Sequence, residues 1–201
     1  MAVIGKRLVP GPSVALVLPA VLLLLAASPA LARVTATGPF GTGLTEPVWV
    51  LAHLLGLLAT GLWAGQSGGP AVWQLPAAAV TALLAAGIAA QFGVRLAYAG
   101  QGLAVSLIVM GALVAMNLRV PLVVSVLVAA VAAVFHGYMH MGGPLFWAGF
   151  ASGSLLVLAA GVGLAGMLGM AVSARAVQFC GGAVAVFGIL ELTDAFGRLL
   201  P

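Results

Sequence analysis

The chain has 201 residues, of which 64% are hydrophobic and 5% charged, with seven Lys or Arg against three acids. A soluble domain carries about a quarter charged residues, so this composition excludes one, and basic residues this dispersed form no nucleic-acid patch. Cys180 is the sole cysteine; that excludes a disulfide framework and a Cys-x-x-Cys knuckle, and leaves a buried apolar thiol as its expected role.

The N-terminus reads as a cleavable signal peptide over residues 1–32. Lys6 and Arg7 form its basic region, Val14 to Leu25 its apolar region, and Ala30-Leu31-Ala32 its small-residue cleavage site. The alternative is an uncleaved first helix over Pro12 to Ala32. Arg33 to Thr45, rich in Gly, Thr and Pro, is expected to lie extended on the outer surface. Six apolar segments follow at about 45–66, 71–93, 98–117, 120–140, 145–168 and 174–197. They are separated by breakers such as Ser67-Gly68-Gly69-Pro70, Asn117-Leu118-Arg119-Val120-Pro121 and Gly142-Gly143-Pro144. A hydrocarbon core takes roughly 20 helical residues to cross. The segments show no period-2 alternation, so helices are expected and a β-barrel is not. Residues 33–201 are therefore read as one all-α domain, a polytopic membrane bundle of six transmembrane helices.

In that topology both termini of the mature chain lie outside the cytoplasm. Glu46, His53, His136, His140, Glu191 and Asp194, which are all the histidines and acids, then fall in the outer half of the membrane or at its edge. A polar group inside a bilayer needs a partner or a cavity, and so marks a candidate site. His136 and His140, at i and i+4, are expected on one helix face, able to offer two imidazoles to a borderline transition metal. Two hydrogen-bonded helix-end residues would fit the same spacing. His53 lies in an apolar run, as a ligand or as a histidine bonded to a neighbouring helix. Glu46, seven residues earlier, is expected on nearly the same face, as a ligand or as a charge complementing the helix dipole. Glu191 and Asp194 are placed at the solvated rim. Met139 and Met141 are read as membrane filling. Gly149-x-x-x-Gly153, with Gly161, Gly163 and Gly166 beyond, is read as close helix packing. No nucleophile–base pair, phosphate loop or dinucleotide fingerprint is present.

Three segments together resemble the HupE/UreJ family of nickel permeases associated with hydrogenase and urease maturation. Glu46-Pro47-Val48-Trp49-Val50-Leu51-Ala52-His53, continuing to Gly61-Leu62-Trp63-Ala64, is similar to its first-helix motif, His-Pro-x-x-Gly-x-Asp-His then Gly-Leu-Trp-Ala. Phe135-His136-Gly137-Tyr138-Met139-His140 is similar to its Phe-His-Gly-x-x-His helix, and Gly149-Phe150 with Ala159-Ala160-Gly161-Val162-Gly163 to its fifth helix. The departures fall on metal chemistry. Glu46 stands for the family's leading His, Val50 for its Gly, Ala52 for its Asp and Leu158 for the fifth-helix His. The region of Gly100 and Gln101 lacks the usual acid, and Met141-Gly142-Gly143 replaces a Gly-x-Glu.

The resemblance implies a permease of the cytoplasmic (inner) membrane, not an enzyme, that passes nickel or cobalt down a gradient into the cell. His53, His136, His140 and Glu46 are the candidate metal ligands; no permanently bound cofactor is expected. The expected partners are membrane lipid, the divalent ion, a second copy of the chain or a metalloenzyme maturation protein, with no nucleic acid. One rival is a non-transporting accessory protein that keeps the fold to dock partners. Another is a membrane enzyme with its histidines around a redox metal.

Overall fold

The computed structural model describes residues 38–197 and is all-helical across them. Its helices are α1 (Gly38–Trp49), α2 (Leu51–Ser67), α3 (Ala71–Gln91), α4 (Ala99–Ala115), α5 (Leu122–Tyr138), α6 (Pro144–Ala171) and α7 (Ala174–Gly197). The signal-peptide reading of residues 1–32 lies outside the described residues. Three helices, α3, α6 and α7, are long and apolar enough to cross a membrane, and α1 with α2 makes a fourth if the bent pair is one span. α4 and α5 are shorter apolar helices of 17 residues each.

The segment expected at 45–66 is two helices, bent by 79° at Val50. Val50 is extended (φ −99°, ψ 109°) and caps α2; its carbonyl accepts from the amides of His53 and Leu54 at 2.9 and 3.0 Å. Pro47 lies inside α1 and has no amide to hold the preceding turn. α1 therefore ends on a weakened turn, and the β-branched Val50 takes the extended geometry such residues favour.

The extended segment expected over residues 33–45 is also corrected: from Gly38 it is helical. Pro39 sits in the first turn, where a missing amide costs nothing. Thr42 and Thr45 donate their hydroxyls back to the carbonyls of Gly38 and Gly41, each at 3.1 Å. The larger cause is tertiary. A methyl on Gly149 or Gly153 would overlap the carbonyl of Phe40 or Leu44, so α1 lies backbone-to-backbone on α6.

α2 is the hub, in contact with every other helix. It follows α1 along α6, with Gly61 and Gly161 in the seam, as small-residue packing in membranes leads one to expect. Gly163 and Gly166 face open space instead. α3 packs on α5, and α4 on α7 through Gly111, Gly181 and Gly188. Cys180, expected to be buried, is exposed: the neighbouring Gly181 faces α4, which turns the thiol outward.

The two ends of the bundle are tied differently. At one, Trp63 Nε1 donates to Leu118 O (2.8 Å) and Gln66 Nε2 to Val114 O (3.1 Å). At the other, Gln91 accepts from Trp147 Nε1 (3.1 Å) and donates to Gly142 O (2.7 Å), while Tyr138 donates to Val94 O (3.1 Å). These contacts fix the chain around the second end, where the histidines lie.

Candidate metal centre

His53, in the first turn of α2, His136, in the last turn of α5, and His140, just beyond it, meet at one place. Their exposures are 3%, 2% and 7%. The His53 ring centre lies 5.2 Å from that of His136 and 4.6 Å from that of His140, edge to face in both cases. Imidazoles sharing an ion at about 2.1 Å per nitrogen bring their ring centres to roughly 5 Å, so these separations have the right size. Among the described residues, no three His, Cys, Asp or Glu side chains are arranged to hold a metal as they stand. Holding an ion there would take ring rotation, from edge-to-face packing to convergence of the nitrogens.

Two details differ from the sequence reading. His140 is not on the helix face of His136: α5 ends at Tyr138, and the His140 amide turns back to Gly137 O at 3.2 Å. The tighter turn still brings the ring to the cluster, where it packs on Phe150 at 4.6 Å. Nor does Glu46 share a helix face with His53, because the break at Val50 separates them. Glu46 is instead the partner of His140, with Oε1 at 3.3 Å from Nδ1.

Gly56 makes the cluster sterically feasible. A β-carbon there would run into the His136 ring, so glycine on α2 leaves room for the imidazole from α5. Gly137 is a packing residue, as expected, set against the backbone of Leu83. Met139 and Met141 are exposed at 57% and 72% and stand apart from the rings. Glu191 is half-buried and Asp194 exposed. Gly181 lies beside Val114, and Gly188 beside Leu107, so α7 runs antiparallel to α4 and carries both acids toward the histidine end.

Ser106, on α4 and 5% exposed, is a site residue the sequence reading missed. Its Oγ lies 3.0 Å from His136 Nε2. The available signal was that α4 has two polar side chains, Gln101 and Ser106, among its 17 residues. Four imidazole nitrogens remain buried without a hydrogen-bond partner: both of His53, Nδ1 of His136 and Nε2 of His140. An unpaired buried polar atom costs about 1–3 kcal/mol; a neutral imidazole has one N–H and one lone pair, so the three rings can offer three lone pairs, one each.

α5 ends at the cluster and α2 begins there, so their roughly half-charge termini oppose each other, and Glu46 is the acid beside the rings.

The HupE / UreJ protein family model matches residues 21–191. Protein HupE of Rhizobium leguminosarum bv. viciae is 31% identical over 153 residues, covering 73% of this chain and 80% of that protein. No solved structure matches.

Proposed function

The chain belongs to the HupE/UreJ family, and from that premise we propose that it is a permease of the inner membrane for a divalent transition metal, nickel or cobalt. It crosses the membrane six times, with α1 and α2 together forming one broken span. At 17 residues, α4 and α5 sit at the lower end of what a crossing takes. The observation that carries the reading is the meeting of three buried imidazoles at one end of the bundle, with four nitrogens unpartnered.

The ion exchanges part of its hydration shell for imidazole at His53, His136 and His140, beneath the Glu46 carboxylate. Beyond the cluster, α2 is sealed by Ala59, Leu62 and Trp63, each at most 4% exposed. Passage therefore requires α2 to move against its neighbours, and transporters commonly build their ion sites at such broken helices. Binding by a few neutral imidazoles leaves release feasible.

The second reading, an accessory protein of the same fold, is favoured by Leu158. It stands where the family's fifth-helix His is expected and is fully buried in the apolar core. Uptake of radiolabelled nickel and cobalt, in cells lacking other permeases, separates the two. His53→Ala and His136→Ala are each expected to abolish uptake at near-normal protein level. Unchanged uptake in both, at normal level, would reject the permease and leave the accessory reading.

A further inference from the structure

We propose that Ser106 and Glu46 are positioning residues that lock two of the histidines in opposite tautomers, so that His136 presents Nδ1 and His140 presents Nε2 to the metal. This rests on the metal-site reading above and assigns the atoms that carry it.

The argument for Ser106 is proton accounting. Its Oγ lies 2.7 Å from Leu103 O and 3.0 Å from His136 Nε2. A carbonyl oxygen only accepts, and a hydroxyl has a single proton. Two oxygens at 2.7 Å with no proton between them repel, so the serine proton lies toward Leu103 and its oxygen is left to accept. His136 Nε2 must then be the N–H donor, and the Nδ1 lone pair is bare. That Nδ1 is buried and has no partner.

His140 is the mirror case. Its Nδ1 faces Glu46 Oε1 at 3.3 Å, and a carboxylate accepts, so the proton sits on Nδ1. The bare nitrogen is Nε2, again buried and unpartnered. Outer partners of this kind fix ring orientation and raise ligand basicity, and losing one typically weakens metal affinity 10–100-fold. Glu46 thus acts through His140 rather than as a direct ligand. His53, packed edge to face against both other rings, has no side-chain partner of this kind, and no tautomer is assigned to it.

The full chain, labelled with [15N]histidine in lipid nanodiscs without added metal, tests the tautomers by NMR. Three histidines give six ring nitrogens, which single His→Ala variants assign. His136 is expected to carry its proton on Nε2 and His140 on Nδ1; a proton on His136 Nδ1, or averaging between the two forms, overturns the inference. A Co2+ titration followed by visible absorption then reads the consequence. Ser106→Ala should weaken binding 10–100-fold and release the His136 tautomer, whereas Ser106→Thr, which keeps the hydroxyl, should hold both near wild type. Wild-type affinity in Ser106→Ala also overturns it. Expected tautomers and tight Co2+ binding without metal uptake would reject transport alone and leave the inference standing. Expected tautomers without any Co2+ binding would reject the ligand assignment together with the permease.

Discussion

The two ends of α2 solve the same problem in opposite ways. At its C-terminal end, Trp63 and Gln66 reach out of the helix and give their N–H groups to the carbonyls of Leu118 and Val114. Those bonds join α2 to α4 and the turn after it. At its N-terminal end, His53 is buried with neither ring nitrogen satisfied, and it faces two more imidazoles with one free nitrogen each. Paired donors hold helices together, and each contributes about 1 kcal/mol net. Unpaired lone pairs weaken the fold by comparable amounts and persist where a ligand supplies what the protein lacks. The contrast is one of kind, because the unpartnered atoms at the far end, Gln66 Oε1 and Ser67 Oγ, are isolated oxygens rather than a set of rings in contact.

The largest break of that contrast is steric. Gly56→Val places a branched side chain where the His136 ring lies against α2. His136 cannot retreat far, since its Nε2 is tied to Ser106 on α4. Co2+ binding should be lost, and overpacking should destabilise the fold by about 1–3 kcal/mol. Thermal unfolding in detergent, alongside the Co2+ titration, checks both. Retained binding would mean that the His53–His136 contact is dispensable.

At the other end the expected effect is smaller and of a different kind. Trp63→Phe keeps an aromatic ring in the core but removes the donor to Leu118 O. Stability should fall by about 1–2 kcal/mol, with the orphaned carbonyl accounting for most of it. Co2+ affinity should stay within a few-fold of wild type, because the histidines lie at the opposite end of the helix. A loss of metal binding at preserved stability would show the two ends to be coupled through α2.

Much of this was legible in the sequence. The apolar segments at 71–93, 98–117, 120–140, 145–168 and 174–197 each hold one observed helix. The meeting of His53 and His136 followed from the cost of an unpartnered imidazole in hydrocarbon. The break at Val50 was not legible, because apolar residues continue on both sides of it and hydropathy does not register backbone direction. That one omission put Glu46 on the wrong face: helical spacing paired it with His53, whereas the bend turns it toward His140. The helix over residues 38–45 was hidden for the opposite reason. Gly, Thr and Pro are weak helix formers, and packing against Gly149 and Gly153 overrides that preference. Ser106 stayed hidden because a lone serine in an apolar helix bonds back to its own backbone, as Ser106 does to Leu103. Its second contact, to His136, exists only once α4 and α5 are side by side.

The smallest expected effect lies at the rim. Glu191 is on α7, which packs chiefly on α4, whereas the ring cluster is built from α2, α5 and the turn after α5. It shares the histidine end with the site, so its influence on a cation there would run through the field rather than through coordination. Charges more than about 10 Å apart are largely screened at physiological salt. Glu191→Gln should therefore leave the Co2+ affinity unchanged and lower the metal uptake rate by no more than about two-fold, a deficit that shrinks further as salt is raised. A ten-fold loss of affinity would move Glu191 into the coordination sphere, and would imply that α7 tilts toward α2 when the ion binds.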